Sequence, residues 1–188
     1  MLRKRRHPQI DMRPPQPAQG FEHLAGESIA VLTWLRANQI EFVLVGPVAE
    51  AIRGAGGATG PVAIVPAPYR RNYERLSRAL DASGARPRTG TGGDAARSKA
   101  TAAKVAGGQR WEFRTHVHFL DVEGRSSETP GYQDLLYEAG RFELAPGLTV
   151  DVASPEDIEH FAHVRRTGTS PELRISRSPD HVGTNSAP

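Results

Sequence analysis

Asp121 and Glu123 stand two residues apart in the run His118-Phe119-Leu120-Asp121-Val122-Glu123, so on an extended strand both carboxylates project from the same face. Two acids so placed can share a metal cation. Glu50 follows Gly46 by one helical turn and can point toward the same place. Four histidines form two pairs, His116 with His118 and His160 with His163, and each spacing puts two imidazoles on one side of a strand or a helix, as zinc requires. A turn at His116 would aim its ring away from that of His118, and solvated or core-edge histidines are the better reading. Gly90-Thr91-Gly92-Gly93 with Lys99 and Lys104 lacks the Gly-Lys-Ser/Thr ending of a phosphate loop and reads as a linker. The sequence has no cysteine, which excludes disulfides, thiolate metal cages and a cysteine nucleophile.

Whatever these groups do, one core must hold them. A chain of 188 residues with 38% hydrophobic content can bury a single core, so one domain is expected. No stretch approaches the roughly 20 apolar residues that cross a bilayer. The basic, proline-rich start carries no apolar segment of the secretory kind, so the expected location is the cytoplasm, with no membrane contact. The net charge of +3 is uneven, because residues 1–13 carry Arg3, Lys4, Arg5, Arg6 and Arg13 against Asp11 alone. Such a tail can bind nucleic-acid phosphates by releasing counterions.

Pro8, Pro14, Pro15 and Pro17 with few apolar residues predict a disordered tail over 1–20. Apolar positions at helical spacing predict a helix from Phe21 to Asn38. Phe42 to Val45 reads as a strand closed by Gly46-Pro47, Val48 to Arg53 as a short helix, and Pro61 to Val65 as a second strand. A helix over Tyr69 to Ser83 buries Tyr73, Leu76 and Leu80 and leaves its arginines outside. Residues 86–108, rich in Gly, Ala, Ser and Thr, read as a flexible basic insertion. Strands are expected over Trp111–Thr115 and His118–Val122, a helix over Tyr132–Ala139, and a hairpin over Arg141–Val152 turning at Pro146-Gly147. Ser154-Pro155-Glu156-Asp157 opens a helix to about Arg166 by capping exposed amides and complementing the dipole. The domain thus spans 21–167, and 168–188 reads as a second disordered tail.

The order strand, Gly46-Pro47, short helix, Gly54, Ala58-Thr59-Gly60, strand is similar to the opening of nucleotidyltransferase-like proteins of the minimal, toxin-associated type. The similarity runs on through Gly131-Tyr132, Leu135-Leu136, Leu148-Thr149-Val150 and Ser154 to Ile158, from about Phe21 to Arg166. It implies an α/β (α+β) fold with a short mixed sheet and helices packed mainly on one side. It also implies nucleotide contacts at Gly46, Pro47, Thr59 and Gly60, although Pro47 stands where that family has a second glycine. Pro61 and Ala63 occupy the positions of two metal-binding aspartates, and Asp121 that of the third, the one expected metal ligand and catalytic remnant. Ala162, between His160 and His163, falls where relatives carry a lysine or arginine that reaches the nucleotide. The resemblance therefore implies a degenerate, non-catalytic member, a pseudoenzyme that keeps its cleft for a nucleotide, a nucleic acid or a protein partner. Two alternatives stand beside it. One is an active nucleotidyltransferase, toxin-like and modifying RNA or protein, with Mg²⁺ held by Asp121 and Glu50 or Glu123. The other is a nucleic-acid binder that uses Arg3, Lys4, Arg5, Arg6 and the basic insertion. No cofactor is implied for the inactive form.

Overall fold

A computed structural model of the chain describes residues 7–11, 13–55, 60–88 and 102–171. The apolar run Phe42–Val45 forms strand β1, which passes straight into helix α2 (Gly46–Ile52) and returns antiparallel as β2 (Val62–Pro66). Before them lies helix α1 (Gly26–Ala37), and after them α3 (Arg70–Ala82), β3 (Arg86–Pro87) and α4 (Ala102–Val105). The chain continues through β4 (Trp111–Arg114), β5 (Phe119–Val122), α5 (Tyr132–Glu138), β6 (Gly140–Ala145), β7 (Leu148–Val152) and α6 (Pro155–Thr167). The described residues thus make a mixed α/β fold of six helices and a seven-stranded mixed sheet, ordered β3-β4-β5-β2-β1-β7-β6.

The middle of the sheet is its most apolar part. Every residue of β1 and β2 is buried, and because successive side chains alternate between faces, both faces there are covered rather than mainly one. Strand β1 runs antiparallel to β2 and parallel to β7, while β2 runs parallel to β5. The parallel register sets Ala63 beside Asp121. Arg53, at the end of α2, donates from Nε to the Ala153 carbonyl at 3.0 Å and from Nη2 to that of Val152 at 2.9 Å, with its guanidinium 5.0 Å from the Phe142 ring centre. That clamp ties α2 to the end of the β6–β7 hairpin. Helix α6 starts as its sequence predicts, with the Ser154 hydroxyl accepting from the Asp157 amide at 3.1 Å, and stops at Gly168.

Several boundaries differ from the sequence reading. Helix α1 begins at Gly26 rather than Phe21, because residues 18–24 form turns, with Phe21 donating to Ala18 and Leu24 to Phe21. The segment expected to be a disordered tail is built into the fold over its described residues. Ile10 is 4% exposed in the core, the Pro8 carbonyl accepts from Asn38 at 3.2 Å, and the Ala18 amide donates to Leu144 at 2.8 Å. The expected insertion over 86–108 begins as β3, paired with β4, and ends in α4, which packs beside α3. Residues 89–101 between them lie outside the described part. Gly124 receives the returning chain at very close quarters, since a Cβ there would stand 2.1 Å from the Gly108 carbonyl oxygen.

Candidate functional site

The acidic pair of the sequence sits at the sheet centre. β5 carries Asp121, 1% exposed, and the chain immediately after it carries Glu123, whose side chain is also nearly buried. Both reach Arg110, which precedes β4. Its Nη2 meets Asp121 Oδ2 at 2.5 Å and Glu112 Oε1 at 3.1 Å, and its Nε lies 3.6 Å from Glu123 Oε1. The antiparallel register that sets Glu112 opposite Asp121 brings these acids to one guanidinium. Partial burial works to lower the Arg110 pKa, but the bond to Asp121 and the charges of Glu123, Asp121 and Glu112 outweigh it, and the net shift is upward.

A second guanidinium closes the centre from α6. Arg165 donates from Nη2 to Glu123 and lies over Gly46, with Nη1 3.4 Å from where a Cβ on Gly46 would stand. Gly46 has φ +71°, a conformation glycine adopts without strain, and that same Cβ would be 3.0 Å from the Ala63 methyl. The strand-to-helix turn is therefore filled by Arg165 on one side and Ala63 on the other. Pro47 packs its ring against Gly60, whose carbonyl lies 2.8 Å from His118 Nε2. Two buried atoms in this centre lack a hydrogen-bond partner among the described residues, Asp121 Oδ1 and Arg165 Nε.

Thus Gly46, Pro47, Gly60, Ala63, Asp121 and Glu123 gather around one centre, and Thr59 lies outside the described residues. Pro61 directly precedes β2 and brings no side-chain oxygen. Glu50 lies half-buried on α2 and forms no ion pair among the described residues. Among the described residues no three His, Asp or Glu side chains are placed to hold a metal ion. Mg²⁺ asks for several oxygens in near-octahedral array, and here the two central carboxylates already bind guanidinium groups while alanine and proline fill the neighbouring positions. These residues do not fit that ion. The histidines contact separate backbone carbonyls: His116 lies 3.3 Å from that of Ile10, and His160 lies 2.7 Å from that of Glu128.

No protein-family model and no curated protein matches the chain. Sequence reasoning did not single out Arg110 or Arg165 as site residues. For Arg165 there was one signal, since it lies three positions after Ala162 and so near it on the helix surface.

Beside the centre, and sharing Glu123 with it, opens a cleft of about 340 Å³ lined by Val65, Pro66, Tyr73, Arg125 and Tyr132 among others. Burial raises the Tyr73 pKa against the opposing charge and hydrogen bond of Arg125, so the phenol stays protonated next to that cation. None of the ion pairs among the described residues involves Arg125. No described helix is long and apolar enough to cross a membrane.

Proposed function

We propose that the chain is a non-catalytic nucleotidyltransferase-like protein that uses the cleft beside its acidic centre to bind a nucleotide without metal. The observation that carries this reading is Arg165 lying over Gly46 and paired with Glu123, so that a side chain of the protein supplies the positive charge at the centre. The antiparallel return of β2 after α2, and the pairing of Ala63 with Asp121, support the alignment that makes Pro61 and Ala63 lost acidic positions. In the cleft, the Arg125 guanidinium suits a phosphate, and Tyr73 and Tyr132 offer ring surface for a base. On this reading the protein works in the cytoplasm as an inactive relative of the minimal, toxin-associated enzymes.

Calorimetric titration with ATP, CTP, GTP and UTP, with and without Mg²⁺, tests the proposal. The expected result is binding that ignores Mg²⁺ and Asp121→Ala but is lost with Arg125→Ala. Binding that requires Mg²⁺ and disappears in Asp121→Ala would replace this reading with an active transferase. No binding of any nucleotide would refute the nucleotide and leave the cleft to a protein partner or a nucleic acid.

A further inference from the structure

Helix α3 carries Arg71, Arg75 and Arg78 at positions i, i+4 and i+7, which places them along one face. With a rise of about 1.5 Å per residue, the row is about 10 Å long. These three arginines line a cavity of about 320 Å³ together with His7, Ala37 and Gln39, on the side of the chain away from α3's buried Tyr73, Leu76 and Leu80. The middle arginine is fixed in place: Arg75 Nη1 donates to the Gln39 carbonyl at 2.9 Å and lies 3.6 Å from Glu41. Arg71 and Arg78 are exposed, and neither forms an ion pair among the described residues. The only ion pair within α3 joins Arg70 to Glu74, at 2.9 Å. Like charges one turn apart repel and destabilise a helix, so this row has an intrinsic cost that an anionic partner would remove.

We infer that this face of α3 binds the phosphate backbone of a nucleic-acid strand. Three features favour that partner. A nucleic-acid strand carries about one charge per 3.4 Å of helix axis, so a 10 Å row of guanidiniums matches about three phosphates rather than one small anion. Guanidinium groups pair with phosphate oxygens in a forked geometry that suits such contacts. The basic run Arg3-Lys4-Arg5-Arg6 joins the chain at His7, a residue of this same cavity, although Arg3 to Arg6 themselves lie outside the described residues. A lipid surface is disfavoured, because binding in the plane of a membrane needs an apolar face beside the cations, and among the described residues the exposed large apolar side chains are Tyr69, Phe119 and Tyr137, none of which lines this cavity. The site is separate from the proposed nucleotide cleft and does not depend on that reading.

The test is fluorescence anisotropy of a labelled 20-nucleotide single-stranded RNA with the full chain and with an Arg71→Gln/Arg78→Gln variant, at several salt concentrations. Both positions are exposed, and the variant should melt at the same temperature as the parent or slightly higher, since repulsion is removed. The expected result is roughly tenfold weaker RNA binding, with a log–log salt slope shallower by about 1.4, at about 0.7 per lost phosphate contact on a single strand. An unchanged slope would overturn the inference by assigning all binding to other basic residues. So would the absence of RNA binding, or a preference for phosphatidylglycerol vesicles or polyglutamate over RNA.

Discussion

Ala63 on β2 and Asp121 on β5 stand in register across a parallel pair, so a methyl group and a buried carboxylate share one face of the sheet. No acid stands at position 63, and Asp121, with Glu112 opposite it on β4, is held by Arg110. Asp121→Asn should therefore lower stability by about 1–3 kcal/mol, the cost of unpairing a charged hydrogen bond, at the lower end because Arg110 is 38% exposed and keeps Glu112. Urea unfolding at neutral pH measures it. In a cluster of mutually repelling acids the same change would instead raise the midpoint, and that outcome would count against the ion-pair assignment.

Arg165 and Glu123 should be coupled. A double-mutant cycle with Arg165→Met and Glu123→Gln is expected to return an interaction energy of about 1–2 kcal/mol, typical of contacting groups in one partly buried network. Additive effects would mean that the pair holds neither α6 nor the centre together.

Gly124→Ala is expected to be costly. The added methyl would meet the Gly108 carbonyl oxygen at 2.1 Å, and a backbone atom cannot swing aside as a flexible side chain can. A loss of about 2 kcal/mol or more is expected from such overpacking, read by thermal melting. A neutral result would show that the chain re-entering β4 does not cross β5 as closely as described.

Arg53→Met should loosen α2. It removes two charged hydrogen bonds to carbonyls and the contact with Phe142, about 2–4 kcal/mol in sum once their usual sizes are discounted for the partial exposure of Arg53. Hydrogen exchange should rise in α2 and at the end of β7, and unchanged protection would argue that packing alone seats the helix.

The Glu128 carboxylate is held below its ordinary pKa by the Ser170 amide, then by the hydroxyls of Ser170 and Ser127. Because the folded value is depressed, this contribution is present above the ordinary glutamate range and fades as pH falls through the folded value. The Ser170 amide resonance should therefore titrate with a midpoint below that of a free glutamate, and Glu128→Gln should abolish the titration. A midpoint at the free value would show that the bond is not made in solution.

Much of the scaffold was legible because each element repeats its own period. The β-branched run of β1, the arginine-outside pattern of α3 and the Ser154 cap of α6 are local signals, and all three elements form where they point. The acidic centre was only half legible. Asp121 and Glu123 share a side by spacing alone, but Arg110 reaches them through the register of β4 on β5, and Arg165 through the docking of α6 on the turn at Gly46. Both depend on contacts between distant segments. The segment around Ile10 was expected to be disordered for a similar reason, since a lone apolar residue among prolines carries no period and gains its place only from what covers it.

That first segment also constrains the timing of assembly. Its anchors are Asn38, His116 and Leu144, and the bond from His116 to the Ile10 carbonyl closes a separation of 106 residues. On a ribosome, residues 7–11 and 13–20 emerge before all three of these anchors and cannot seat fully until β6 has left the exit tunnel. This segment thus locks later than the helix and strands that directly follow it, and until then the wall of the core that Ile10 completes stays open.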